Sequence, residues 1–472
     1  MPVRLYPRVA QDPAKIRLWL GVLSDQSVAP TLSWSTPGAS GSPQAVRALT
    51  AVRPGGRVFT GEFEVTGVNP AHIHRISVTA GDETAVLHTR TTPARVPDDG
   101  SPLNVLVASC FHYKTQRNPG IASFIGSVIA QSGTRSPHLS LFLGDQVYLD
   151  LPTFEPFEDD SAWLEQRFED DYVRNFIEPG YLSGLLEAAP AAFLPDDHEY
   201  WNNYPEAFSL ASNTWTRAGR VLWAGAARRL YEAFQASSPH GKPQEFEVEP
   251  LAFFLADTRS LRENHPGNAL PGEAGTLHAW VSNIITRRDA IGVVAAGQSF
   301  LDEATGSVQG KWSDYALADY LDYPTLTTEL KRLPESDRPL LLLTGDVHYG
   351  RVALARRVGE RLNLAEVISS PMSLVEVAGV DPIREGWASA KRIFGSKEQW
   401  PLHSDPKDPP AYFAGDKHFE FENREGTVGQ RGDHVSVLSF FRQGTGVRVE
   451  VRTWILHIDA VSPHEIARFE LR

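Results

Sequence analysis

The rhythm of apolar and polar positions changes near residue 100. Before it, short runs of strand-like composition follow one another: Ile16–Leu23 (IRLWLGVL), Ala29–Trp34, Arg57–Val65, His74–Ala80 and Glu83–Arg90. Clusters such as PGASGSP and RPGG separate them. Runs of this length and spacing predict an all-β module over residues 1–95, an immunoglobulin-like or fibronectin-like sandwich. Val96–Pro102 (VPDDGSP) gathers Pro, Gly and Asp and reads as a linker, residues 96–102.

From Leu103 onward, apolar runs end abruptly in polar residues and alternate with helical stretches. Leu103–Ser109 runs into Cys110, and Leu139–Leu143 into Gly144-Asp145. Phe253, Phe254 and Leu255 lead to Asp257-Thr258-Arg259, and Leu340–Leu343 to Thr344-Gly345-Asp346. Between them, Ile121, Phe124, Ile125, Val128 and Ile129 fall at i, i+3, i+4, i+7 and i+8, the stripe of an amphipathic helix. Ala162–Ile177 and Ala207–Ala236 also read as helical, and Val435–Phe441 and Val447–Ile455 as strands. Strands alternating with helices predict an α/β domain over residues 103–472. In such domains functional residues gather at the carboxyl ends of strands.

Composition narrows this picture. Gly 37 and Pro 34 among 472 residues exceed what a helical bundle needs and imply long ordered loops. The net charge of −13 gives no basic footprint for nucleic acid. A lone cysteine, Cys110, excludes an intramolecular disulfide. No apolar stretch approaches the length of a membrane span, so none is expected. The opening MPVRLYPRVAQDPAK shows no export signal, which predicts a cytoplasmic protein, or a periplasmic or extracellular one if a leader was removed. The acidic clusters Glu165–Asp171 and Glu422–Glu425 read as solvated faces.

The polar tips carry the candidate chemistry. They are Ser109-Cys110-Phe111-His112, Gly144-Asp145-Gln146-Val147-Tyr148, Asp196-Asp197-His198-Glu199 continuing to Asn202-Asn203, and Gly345-Asp346-Val347-His348. Each places a metal-ligand type directly after a buried strand, which is the supply a dinuclear site needs. Each residue also has a plainer role: Cys110 as a small buried hydrophobe, Tyr148 as a core tyrosine, Asp196 as a capping group. Asn202, Asn203 and Arg259 are candidates for phosphate contact, against a turn for the Asn pair and an ion pair with Asp257 for the arginine.

Four motifs in this order resemble the calcineurin-like metallophosphoesterases, whose pattern is D-x-H, GDxxD, GNH[DE] and GHxH. The variants here are C-x-H (Cys110, His112), GDQVY (Asp145, Tyr148), DDHE (Asp197, His198, Glu199) and GDVH (Asp346, His348). With ADTRSLR and the β module, they look like the PhoD-type alkaline phosphatases. The LGxxQ segment usual in that family is not recognisable within 313–338. The resemblance implies a four-layer α/β/β/α catalytic sandwich that hydrolyses phosphate monoesters or diesters with two metal ions. It assigns Cys110, Asp145, Tyr148 and His348 to an Fe(III) site, with Asp145 bridging to a second site of Asp197 and Asp346. His198 matches the histidine that protonates the leaving group. His112 competes with Tyr148 for one position and stands as a further candidate ligand.

The donor chemistry points the same way. Thiolate, phenolate and imidazole suit iron or zinc, whereas carboxylates suit Ca²⁺, Mn²⁺ or Mg²⁺, and Zn²⁺ accepts both kinds. A small phosphoester is the expected substrate, with Tyr200, Trp201 and Tyr204 lining an apolar pocket or, equally, packing the core. Two rivals remain at this level: a cysteine-dependent hydrolase with Cys110 as nucleophile, and a catalytically silent Ca²⁺-dependent binding protein. The sequence leaves the oligomeric state open.

Overall fold

A computed structural model of the chain describes residues 1–27, 29–36, 43–70, 72–113, 136–152, 157–208, 210–287, 289–301, 304–305, 314–346, 348, 350–357, 362–373, 399–400, 419–424, 433–455 and 464–472. Seven strands come first: β1 (Val3–Arg8), β2 (Lys15–Leu23), β3 (Leu32–Ser35), β4 (Gln44–Ala51), β5 (Val58–Thr66), β6 (His74–Ala80) and β7 (Glu83–Thr89). Then follow β8 (Leu103–Ala108), β9 (Leu139–Leu143), α1 (Ser161–Phe176), α2 (Ser183–Leu186), β10 (Ala191–Leu194) and α3 (Arg217–Phe234). The middle of the chain forms β11 (Gln244–Val248), β12 (Leu251–Ala256), α4 (Ala274–Thr286), β13 (Ile291–Ala296), α5 (Tyr323–Glu335) and β14 (Leu340–Thr344). The remaining strands are β15 (Arg351–Arg357), β16 (Leu362–Ile368), β17 (Gln399–Trp400), β18 (Phe419–Arg424), β19 (His434–Gln443), β20 (Gly446–Ile455) and β21 (His464–Leu471).

These strands build two large mixed sheets, so the chain has the expected α/β class. A ten-stranded sheet runs β21-β20-β19-β8-β9-β10-β1-β2-β5-β4, and an eight-stranded sheet runs β11-β12-β13-β14-β16-β15-β18-β17. Within them β8-β9-β10 and β12-β13-β14-β16 are parallel. Strands β8, β9, β12, β13 and β14 are buried at every position. Burial on both faces explains why they read as continuous apolar runs rather than alternating ones.

Side chains nonetheless sort by parity. Leu141 and Leu143 meet Phe253, Leu255, Leu341 and Leu343 in a core between the two sheets. Phe142 and Phe193 face the other way, under α1 and α3, with Phe168, Phe176, Trp223 and Leu230. On the eight-stranded sheet, Phe254, Val294 and Leu342 face away from the shared core, toward Trp280 and Ile284 of α4 and Leu326, Leu330 and Leu333 of α5. Helix α1 starts where Asp160 accepts from the Trp163 amide (2.8 Å). Helix α3 starts at Arg217, capped by Thr216 and ten residues later than the sequence suggests, because Ser212–Trp215 form a 3₁₀ turn before that cap.

The N-terminal strands are attached differently from the expected separate sandwich. They enclose a core of their own, including Leu18, Leu20, Phe63 and Val78, and β3-β6-β7 form a three-stranded sheet. Strands β1, β2, β5 and β4, however, continue the ten-stranded sheet, with β1 parallel to β10 and Arg8 opposite Ala191. Trp19 stacks on Tyr6 (5.3 Å) and belongs to the core beneath α1 and α3. The expected linker is tied down at its first residue, Val96, whose amide donates to Glu249 O (2.8 Å).

Other expectations resolve as follows. The helix expected around Ile121–Ile129 lies outside the described residues. Glu165–Asp171 is not a solvated face: Glu165, Glu169 and Asp171 are buried and pair with Arg229, Arg53 and Arg167. Side chains of the Glu422–Glu425 cluster lie outside the described residues. Among the described residues, no helix is long and apolar enough to cross a membrane.

Removing residues 1–95 would expose the β10 edge and strip Tyr6, Trp19, Val52 and Val58 from the core under the helices. Residues 96–472 expressed alone should therefore be insoluble or lack near-UV circular dichroism. A soluble, cooperatively unfolding fragment would instead support the expected domain boundary.

Candidate metal centre

The centre forms where strand tips converge. Strands β8, β9 and β10 run parallel and deliver Cys110, Asp145 and Asp196-Asp197, while β14 brings Asp346 from the other sheet. The tips are laced together: Cys110 N donates to Gly144 O (3.1 Å), Phe111 N to Asp145 O (2.7 Å) and Gly345 N to Gly297 O (3.0 Å). Space is tight there. A Cβ on Gly144, already at φ +92°, would lie 2.5 Å from Asp196 Cβ, and one on Gly345 would lie 2.4 Å from Leu143 O.

Backbone strain concentrates at the same place. Cys110, Asp145, Asn203, Asp346 and His348 all take left-handed backbone, with φ between 55° and 66°. For a non-glycine residue this costs roughly 1–2 kcal/mol. Such strain persists where the surroundings over-determine it, which is the habit of functional sites.

Two groups of candidate ligand atoms result. Asp145, Asp197 and His198 each offer an atom within 4.8 Å of the others, and so do Asp145, Asp196, Asp197 and Asp346. All of these residues are buried. Among the described residues, Asp197 Oδ1 and the Tyr148 hydroxyl are buried and find no hydrogen-bond partner. Orphaned buried oxygens are costly and normally satisfied. A cation would satisfy both, so the donor set fits a metal. Cys110 Sγ lies 3.5 Å from Asp145 Oδ2 and accepts from Ser370 Oγ (3.2 Å). The Tyr148 ring packs on His198, with centroids 4.2 Å apart.

The electrostatics follow from burying these acids together. Burial raises Asp145 well above the usual carboxylate range, and Asp197 and Asp196 to about 6. Glu199 rises to about 7, again through burial. Burial opposes charge on His198, but Asp150, Asp197 and Asp145 outweigh it and raise the imidazole well above its usual value. Burial pushes the Cys110 thiol and Tyr148 phenol up, reinforced at Cys110 by Asp145 and Asp346. Cationic charge in this place would reverse these shifts.

Of the residues singled out from sequence, the structure brings Asp145, Asp197, His198 and Asp346 into the two groups, with Cys110 and Tyr148 against them. His112 sits edge-on to Tyr148 (5.3 Å) and His348 donates its amide to Ser370 Oγ (3.2 Å); neither belongs to the two groups. Asn202 and Asn203 act through their backbones, donating to Asp150 Oδ2 (2.9 Å) and Asp197 Oδ2 (2.5 Å). This is the turn role.

Arg259 is not placed to meet a phosphate. It is fully buried, and its five N–H groups are taken up: Nε and Nη2 donate to Asp196, Nη2 and Nη1 to Asp314, and Nη1 to Tyr204 O. Asp257 accepts from the Arg259 and Ser260 amides rather than from the guanidinium. Tyr200 and Trp201 are buried in the core, and Tyr204 packs against the same cluster, so these aromatics take the core role rather than the pocket role.

Other residues at the centre had no role assigned from the sequence. Asp150 accepts from His198 Nδ1 (2.8 Å), which fixes the ring. Glu199 accepts from the Asp145, Gln146 and Asp196 amides (2.8, 2.7 and 2.8 Å). Gln298 donates to Asp346 Oδ2 (3.2 Å) and to Asp314. Gln298 did have a signal: Ile291–Ala296 (IGVVAA) is one more apolar run ending in a polar tip.

Comparison with known proteins adds nothing to this geometry. No family model matches the chain, and no curated protein matches it. Among solved structures, amylomaltase from Corynebacterium glutamicum aligns over 74% of this chain at 14% identity. The aligned part spans 56% of that protein, with a TM-score of 0.16, which carries no argument about fold or activity.

The raised carboxyl values give a signed prediction. With Asp196 and Asp197 near 6 and Glu199 near 7, against about 4 unfolded, the native metal-free protein binds the extra protons. This stabilisation is full below about pH 4 and is lost as pH rises through about 6 to 7. Other groups add their own slopes, so the contrast to measure is with Mn²⁺ or Zn²⁺ present: thermal unfolding of the metal-free protein should worsen over this window, and the metal should remove the decline. A metal-free profile that improves from pH 5 to 7 would contradict the burial described.

Proposed function

We propose that the chain is a metal-dependent phosphoesterase of the PhoD-like kind, built as an α/β/β/α sandwich. The observation that carries this reading is the group Asp145, Asp197 and His198, with Asp346 beside it, holding an orphaned carboxylate oxygen at the tips of parallel strands. The succession of helices, sheet, sheet and helices around the shared core supports the fold half of the proposal. Asp145, Asp197 and Asp346 would hold one cation, and Cys110, Tyr148 and His348 with Asp145 another. Thiolate, phenolate and imidazole favour Fe(III) at the second of these, and carboxylates favour Ca²⁺ or a similar hard ion at the first. Bound there, a pair of ions supplies Lewis-acid charge to a phosphoryl oxygen and lowers the pKa of water.

The chain's own residues do the rest. Asp150 holds a proton on His198 Nδ1 and keeps the imidazolium favoured. His198 Nε2 then carries the proton that the departing ester oxygen needs. An Asp145 oxygen accepts from the His198 backbone amide (3.1 Å) and ties that loop to the candidate ligand. A small phosphoester fits a chain of net charge −13, which offers little long-range attraction to a polyanion.

Metal analysis with a visible spectrum tests the centre. A ferric thiolate or phenolate should give a charge-transfer band that weakens or shifts in Tyr148→Phe and in Cys110→Ser. A colourless, fully active protein holding zinc or magnesium alone would remove iron from the reading.

A second measurement tests the acid. His198→Ala should lower kcat by ~10²–10⁴ on esters of poor leaving groups with metal content intact, and far less on p-nitrophenyl esters. An equal loss on both would reduce His198 to a positioning role.

A further inference from the structure

The N-terminal strands do more than widen a sheet. Their side chains reach the carboxyl ends of both helices that cover the ten-stranded sheet. Arg4 Nε donates to Ile177 O (2.8 Å) and the Tyr6 hydroxyl to Phe176 O, at the end of α1. At the end of α3, Trp19 Nε1 and Arg47 Nη2 donate to Ala233 O (2.8 and 2.9 Å), and Arg8 Nη2 donates to Phe234 O. The last carbonyls of a helix lack partners within it, and cationic donors there also meet the negative end of the dipole. One module thus caps two helices.

The residue that follows α3 is Gln235, fully buried. The Tyr172 hydroxyl of α1 donates to its Oε1 (2.7 Å), which orients the amide. Its Nε2 then donates to Glu199 Oε1 (3.0 Å) and Gln146 Oε1 (2.8 Å). Glu199 in turn receives the Asp145, Gln146 and Asp196 amides. Four N–H groups therefore share two carboxylate oxygens, and Gln235 supplies the one that comes from outside the ligand-bearing loops.

We infer that the N-terminal strands are a positioning element for the metal centre, acting through the cap of α3, Gln235 and Glu199 on the backbone of Asp145 and Asp196. The consequence for metal affinity rests on the metal-centre reading; the coupling of strands to loops does not.

The test uses the full chain and two readouts. The first is amide hydrogen exchange, in metal-free protein, of peptides covering 140–150 and 191–200. The second is Mn²⁺ and Zn²⁺ affinity by competition with a chelator. Trp19→Phe removes the donor and keeps an aromatic, though smaller, side chain in the core; Gln235→Leu removes the relay. Val78→Ala, in the N-terminal core away from these contacts, serves as the control for general destabilisation. Both test variants should speed exchange in the two peptides roughly tenfold and weaken metal binding about 10–100-fold, while Val78→Ala leaves both readouts at the wild-type level. If Trp19→Phe fails to fold, Arg47→Met removes the other donor to the same carbonyl. Unchanged exchange in the test variants, or equal acceleration in Val78→Ala, would overturn the inference. Faster exchange in a protein whose wild type binds no metal would keep the coupling and sink the metal-centre reading instead.

Discussion

Everything at the strand tips depends on one electrostatic constraint: acids are buried there in excess of cations. Asp145, Asp150, Asp196, Asp197, Glu199, Asp314 and Asp346 are all buried, against Arg259, Arg262 and His198. Ionised carboxylates removed from water are expensive unless paired or hydrogen-bonded. The molecule answers this in two ways. Arg259 neutralises the outer pair, Asp196 and Asp314, and backbone amides solvate Glu199. Burial still raises the inner carboxyls Asp145 and Asp197, a cost that a further cation or protons would relieve.

The scaffold is built to tolerate that imbalance. Fully buried parallel strands end together, so the tips inherit rigid backbone from two sheets at once. Left-handed φ at Cys110, Asp145 and Asp346 turns each side chain back toward the others two residues after its strand ends. Gly144 and Gly345 let neighbouring tips approach to distances no Cβ would permit. Strain and charge repulsion are thus held at one locus by the packing of three apolar cores. This is the arrangement expected where pre-organised ligands matter more than local stability.

Much of this was legible because burial on both faces leaves an unmistakable mark. Strands such as Leu139–Leu143 and Leu340–Thr344 announce themselves, and the polar residue that ends each run marks the site. What escaped lies where one local rule competes with another. Strand β1 (VRLYPR) carries Pro7, which argues against a sheet interior. It is tolerated because β10 begins only opposite Arg8, so Pro7 faces no ladder partner there. Missing β1 made the N-terminal strands look detachable. Asp150 and Gln235 escaped because their role is to touch another residue, and sequence spacing carries no record of that. Arg259 has the fork that suits either a phosphate or an ion pair, and two carboxylates from distant loops, neither of them Asp257, occupy it.

The same electrostatics decide between the chemistries open to Cys110. A cysteine nucleophile must be a thiolate near neutral pH, which requires cationic neighbours or a helix N-terminus. Here burial, Asp145 and Asp346 push the thiol the other way, and the Ser370 hydroxyl is too weak a donor to compensate. A thiol in this setting loses its proton only to a strong local positive charge. The acids beside Cys110 thus argue against sulfur as the attacking group.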